Sequence, residues 1–113
     1  MSKFMALLVE DDALQREALA NILKDDGFEV IECATAEAAE LIIATSGTEL
    51  QALVTDNHLD GVMSGIELAR YALQRFPKLN VIIISGREVH ALPVNTQFLR
   101  KPFTAARLLE AVR

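Results

Sequence analysis

Residues 4–12 read Phe-Met-Ala-Leu-Leu-Val-Glu-Asp-Asp, an apolar run that ends on three acids. Phe4 to Val9 contains no polar residue, which suits a strand buried on both faces and covered by helices. The next segment agrees. Ala13 to Asp26 carries Leu14, Ala18, Ile22 and Leu23 as a helical stripe, with Asp12 at the N-cap position and Gly27 closing the helix as a C-cap would. A buried strand, an acidic turn and a helix make the opening unit of an α/β sheet.

The alternation continues to the end of the chain. Phe28 to Cys33 reads as an outer strand, and Thr35 caps a second helix over Ala36 to Thr45 that faces the core through Ala39, Leu41, Ile42 and Ile43 and ends at Gly47. Leu50 to Thr55 is a short strand, and Asp56 to Ser64 a polar loop. A third helix carries Ile66, Ala69, Leu73 and Phe76 and stops at Pro77. Val81 to Ser85 is the most β-prone run, Thr96 to Leu99 a fifth strand, and Thr104 to Arg113 a final helix with Leu108, Leu109 and Val112 inward. Such alternation implies right-handed βαβ units and a doubly wound α/β fold with five parallel strands, pointing to the flavodoxin-like order 2-1-3-4-5. No linker, repeat or low-complexity segment interrupts it, so residues 1–113 are expected to form one domain.

Composition excludes several function classes. The 113 residues suffice for one core. Half are hydrophobic (51%) and 24% charged, the profile of a globular domain rather than a disordered one. The net charge is −5 and the 11 Lys and Arg are scattered, so the basic footprint of a nucleic-acid binder is missing. No apolar run approaches the roughly 20 residues needed to span a bilayer. The start does not read as a secretory signal, and the single Cys33 cannot form an internal disulfide. A cytoplasmic location is expected.

In doubly wound sheets the site lies at the carboxyl ends of the strands. Glu10 and Asp11 follow the first strand, Asp56 follows the third, Ser85 ends the fourth and Lys101 follows the fifth. Three carboxylates, a hydroxyl and an ammonium are thus expected on one edge. Clustered carboxylates favour a divalent cation, and Mg²⁺ takes hard oxygen ligands together with waters and phosphate oxygens. An ionised Asp56 beside it is suited to attack a phosphoryl group, with Lys101 neutralising charge and Ser85 donating a hydrogen bond.

These motifs, LLVEDD (residues 7–12), LVTD (53–56), IIISG (82–86) and FLRKPF (98–103), resemble the receiver domains of bacterial two-component response regulators over nearly the whole chain. The resemblance implies Asp56 as phosphoacceptor and Mg²⁺ ligand, Asp11 as a direct ligand, Glu10 often acting through water, and the backbone carbonyl of His58 as a further ligand. It implies Ser85 and Phe98 as the hydroxyl and aromatic switch positions, and a cis peptide bond at Lys101-Pro102. It also implies that a sensor histidine kinase or histidine phosphotransfer protein supplies the phosphoryl group and that an output protein reads the state; the charge and hydropathy above argue against direct contact with nucleic acid or membrane. Such a domain is a phosphoryl acceptor rather than an enzyme proper. His58, two residues past Asp56, and Arg87, two past Ser85, are expected to tune dephosphorylation.

Two departures from the family pattern stand out. The loop from Asp56 to Gly65 is one residue longer than usual, with Asp60 where proline is common. Between Ser85 and Lys101 only Gly86 to Asn95 is left for the fourth helix, and Pro93 interrupts it, so that helix is expected to be short or absent. A phosphorylation-independent interaction module on the same fold is the competing reading. An aspartyl-nucleophile phosphatase of the haloacid-dehalogenase type ranks lower, because it needs a second Asp where His58 stands. A flavin carrier ranks lower still, since the first turn holds acids and not phosphate-cradling donors. Met1 and the polar lead after it favour a stand-alone regulator over a receiver excised from a larger protein.

Overall fold

A computed structural model describes residues 4–113; the polar lead at residues 1–3 lies outside the described residues. The strands are β1 (Met5–Val9), β2 (Glu29–Cys33), β3 (Leu50–Asp56), β4 (Asn80–Ser85) and β5 (Thr96–Arg100). The helices are α1 (Ala13–Asp25), α2 (Ala36–Ser46), α3 (Gly65–Arg75) and α4 (Ala105–Val112), with a short 3-10 turn at Gly47–Glu49. All strand pairs are parallel and the order is β2-β1-β3-β4-β5. This is the doubly wound sheet expected from the strand–helix alternation.

The period-2 alternation of side chains along each strand divides the core in two. Ala6, Leu8, Val54, Ile82 and Ile84 face α1 and α4, meeting Leu19, Leu23, Leu108 and Val112. Leu7, Val9, Leu53, Val81 and Ile83 face α2 and α3, meeting Ile43, Leu68, Ala69 and Ala72. Full burial of each Leu or Ile stabilises by about 1.5–3 kcal/mol. The central strands therefore need apolar stretches, which β1 has throughout, β4 over Val81–Ile84 and β3 over Ala52–Val54.

The helix faces differ from the expected stripes. In α1 the buried residues are Leu19, Ala20 and Leu23, while Leu14 is 80% exposed. Leu14 lies in the first turn, which begins past the carboxyl end of β1 and has no sheet beneath it. In α2 the buried residues are Ala36, Ala39 and Ile43, and Leu41 points to solvent. A helix turns about 100° per residue, so Leu41 falls on the face opposite Ala39 and Ile43. Boundaries also move slightly: β3 includes Asp56 as its last residue, and α3 starts at Gly65 behind a Ser64–Glu67 capping box.

No helix forms between β4 and β5, as the ten residues Gly86–Asn95 and Pro93 suggested. The connection turns through Ala91 and Asn95, both with positive φ (58° and 70°), and the Arg70 guanidinium on α3 donates to the Ala91 carbonyl oxygen at 3.4 Å. Among the described residues no helix is long and apolar enough to cross a membrane.

The loop between β3 and α3 closes tightly at its base. Gly65 N–H donates to Asn57 O at 3.1 Å, and Asn57 Oδ1 accepts from Ile66 N–H at 3.1 Å. A Cβ on Gly65 would come within 2.2 Å of the Asp56 carbonyl oxygen and 2.8 Å of Asn57 Cα, whereas one on Gly86 would meet nothing within 4 Å. Backbone cannot yield as a side-chain tip can. Gly65→Ala is therefore expected to destabilise by on the order of 2–3 kcal/mol, and Gly86→Ala to stay within about 0.5 kcal/mol of wild type. Denaturant midpoints of the two variants check the contrast, and equal midpoints would refute it.

Candidate functional site

β1, β3 and β4 end side by side, and so do the residues that follow them. Glu10 leaves β1 buried, 1% exposed, and Asp56 ends β3 at 6%. Lys101 follows β5, where its backbone N–H donates to Ser85 O at 2.8 Å and anchors the chain to the end of β4. Its ammonium reaches across the sheet edge to Glu10 Oε1 at 3.0 Å, Asp56 Oδ2 at 2.5 Å and Gln15 Oε1 at 2.7 Å. Two carboxylates from different strands thus share one cation. The peptide bond between Lys101 and Pro102 is cis.

Each remaining carboxylate oxygen has a backbone donor. Asp12 N–H donates to Glu10 Oε2 at 3.1 Å, and His58 N–H to Asp56 Oδ1 at 2.8 Å. The Arg16 guanidinium holds the Glu10 carbonyl oxygen at 2.8 Å. No buried side-chain nitrogen or oxygen among the described residues lacks a partner. The site is an ordered polar cluster at the edge of an apolar core.

Burial pushes the Glu10 carboxyl up to about 7; hydrogen bonds from Asp12 N–H and Lys101 pull the other way, while Asp11 and Asp56 add to the rise. Burial also opposes the Lys101 charge, but its hydrogen bonds and ion pairs with Asp56 and Glu10 outweigh that and hold its pKa above the ordinary lysine value. Glu10, Asp11 and Asp56 outnumber this one ammonium, so the cluster carries unmet negative charge when its acids are ionised. Hard carboxylate oxygens with unmet negative charge fit a small dication such as Mg²⁺, which binds through one or two carboxylates and keeps waters and phosphate oxygens for the rest. Among the described residues no three His, Cys, Asp or Glu side chains form a ready-made cage, because Lys101 lies between Glu10 and Asp56 and Asp11 is half-exposed beside them.

The other expected residues lie around this cluster. Ser85 is fully buried and its Oγ accepts from Arg87 N–H at 3.1 Å, while the Arg87 side chain faces solvent. The His58 ring is exposed at the loop mouth. Phe98 is half-buried on β5, beside Ile83 of β4 and against the α2–α3 side of the core. Three further contacts were not anticipated: Gln15 on Lys101, Arg16 on the Glu10 carbonyl, and Glu37 Oε2 of α2 accepting from Met63 N–H at 2.9 Å. Only Gln15 had a local signal, its capping-box spacing from Asp12.

A family model described as the response regulator receiver domain matches residues 6–113. The response regulator protein FleR of Pseudomonas aeruginosa is 35% identical over 94% of this chain and 23% of its own length. The transcriptional regulatory protein FixJ of Azorhizobium caulinodans is 31% identical over 94% of this chain and 52% of its own. The chain thus spans about a quarter to a half of these curated relatives. The crystal structure of a response regulator receiver protein from Sinorhizobium medicae superposes with a TM-score of 0.89, at 29% identity, covering 97% of this chain and 91% of that one.

The Glu10 environment sets a pH dependence. Its folded pKa, about 7, lies above the ordinary value of 4.5, so the folded state binds the extra proton. The stability it contributes is present below about pH 4.5 and is lost as pH rises through 7. Metal-free protein is expected to lose about 3 kcal/mol across this window, with Glu10→Gln flattening the curve and Mg²⁺ restoring stability at pH 8. Denaturant titrations at pH 5 and pH 8 check this; identical curves for wild type and Glu10→Gln would refute it.

Proposed function

The chain belongs to the response regulator receiver domain family, and from that premise we propose that it accepts a phosphoryl group on Asp56 in a Mg²⁺-dependent reaction. The observation that carries this reading is the Lys101 ammonium held between the buried carboxylates of Glu10 and Asp56. An Asp carboxylate anchored by a fixed cation is placed for nucleophilic attack and for charge neutralisation at the group it receives.

In the reaction an Asp56 carboxylate oxygen bonds to the phosphorus of a phosphohistidine on a sensor kinase or phosphotransfer protein. The N–P bond breaks, its electron pair stays on the imidazole, and that nitrogen takes up a proton in neutral histidine. Lys101 faces the incoming negative charge, and the Ser85 hydroxyl supplies a donor once it turns from its contact with Arg87 N–H. Mg²⁺, when bound, neutralises phosphoryl oxygens; Glu10, Asp11, Asp56 and the His58 carbonyl would hold it. His58 and Arg87 border the site and set how readily water reaches the phosphorylated carboxyl. Ser85 and Phe98 are the pair whose rearrangement carries the change to the β5 side, a population shift driven by differential contacts with the phosphoryl group. The domain acts as a phosphoryl acceptor in the cytoplasm, contacting proteins rather than nucleic acid or membrane.

The missing helix between β4 and β5 favours a second reading, a module of the same fold that binds partners without phosphorylation. Incubation with Mg²⁺ and acetyl phosphate separates the two. Wild type is expected to gain one phosphoryl group by intact mass and Asp56→Asn none; no adduct on wild type, or an adduct that survives Asp56→Asn, would remove the leading reading. His58→Ala is expected to shorten the half-life of the adduct several-fold by opening the site to water, and an unchanged half-life would exclude that role.

A further inference from the structure

The first turn of α1 contains a motif put to an unusual use. Asp12 is the N-cap, and Gln15, three residues on, occupies the position whose side chain in a capping box reaches back to the cap residue's N–H. Here that N–H is already engaged, since Asp12 N–H donates to Glu10 Oε2 at 3.1 Å. The Gln15 backbone is nevertheless fixed, its N–H donating to Asp12 Oδ1 at 3.0 Å. Its amide is left free of the helix end, and Oε1 turns to accept from Lys101 Nζ at 2.7 Å.

The Lys101 ammonium has three N–H groups, and three acceptors meet it. Two are the carboxylates of Glu10 and Asp56 at the sheet edge; the third is the neutral Gln15 amide on α1. A lysine is a point charge on a flexible four-carbon stem, and opposite charge alone attracts it without fixing its direction. The base of Lys101 is fixed by its backbone bond to Ser85 O, and the tip is fixed by this tripod. Without the third acceptor, the remaining N–H turns to water and the ammonium gains freedom.

We propose that Gln15 is a positioning residue for phosphoryl transfer, its amide oxygen holding the third N–H of Lys101 so that the ammonium stays aimed at the group arriving on Asp56. This rests on the reading of Asp56 as phosphoacceptor and adds a residue of α1 to the machinery around it. A group that orients the cation lowers the barrier by preorganisation and leaves the binding of the donor unchanged.

Two substitutions separate the acceptor from mere volume. Gln15→Met keeps length and bulk but has no strong acceptor, whereas Gln15→Glu keeps an oxygen at the same reach. With acetyl phosphate and saturating Mg²⁺, Gln15→Met is expected to lower the maximal phosphorylation rate about fivefold, with half-saturating acetyl phosphate and the unfolding midpoint unchanged. Gln15→Glu should restore the rate to within about twofold. In metal-free protein the Lys101 ammonium proton signal, slowed in exchange by three hydrogen bonds, should be visible by NMR in wild type and Gln15→Glu and lost in Gln15→Met. A wild-type rate or a retained ammonium signal in Gln15→Met would overturn the proposal, as would Gln15→Glu being as slow as Gln15→Met. Failure of wild type to form any adduct would instead remove the phosphoacceptor reading, and the ammonium signal would still decide whether the tripod exists.

Discussion

The site depends on one ammonium held between two buried carboxylates. Glu10 and Asp56 come from neighbouring strands and lie almost out of reach of water, where two adjacent negative charges repel and lose their hydration. Lys101 makes that arrangement tolerable, arriving from the far edge of the sheet by way of β5. Every other feature of the site follows from keeping those three groups in reach. β1, β3 and β4 must end level, β5 must pair with β4, and the loop after Asp56 must close without lifting it. The close packing of Gly65 against the Asp56 carbonyl and the backbone bond from Lys101 to Ser85 do the last two.

The same cluster explains why charge here has a direction. Glu10 is biased toward its protonated form by burial, while Lys101 is biased toward its charged form by its anionic partners. Glu10, Asp11 and Asp56 nevertheless outnumber the one ammonium, and carboxylate oxygens in excess are the hard donors that a small dication suits. The connection between β4 and β5 shows the opposite economy. With no helix there, Gly86–Asn95 crosses as a turn-rich loop held by the Arg70 contact and by Thr96 Oγ1 donating to Pro93 O at 2.6 Å. The surface beside β5, next to Phe98, is accordingly a loop surface and not a helical one.

Much of this was legible in local pattern. β1 and Val81–Ile84 of β4 are unbroken apolar runs, and such runs bounded by acids, Gly or Pro have few other solutions in a chain of this size. The caps at Asp12 and Thr35 were readable because their hydrogen bonds are made within three residues, whereas Thr104, read as the first residue of the last helix, is its N-cap. The faces of α1 and α2 were less so. Leu14 and Leu41 are apolar, yet a helix buries only the side that meets the sheet, and the place where α1 begins relative to β1 left Leu14 uncovered.

Sequence by itself determined the alternation of strands and helices, that any helix between Ser85 and Lys101 is short or absent, and the placing of Glu10, Asp11, Asp56, Ser85 and Lys101 at strand ends. Each of these is a matter of spacing along the chain or of residue type against backbone preference. Tertiary structure alone decided which acids Lys101 touches, that Asp11 stands aside while Gln15 joins, and that Glu37 of α2 holds the loop at Met63. Those contacts join residues 26 to 91 positions apart. No local rule sets them; they follow from the level at which the strands stop and the direction each helix leaves the sheet.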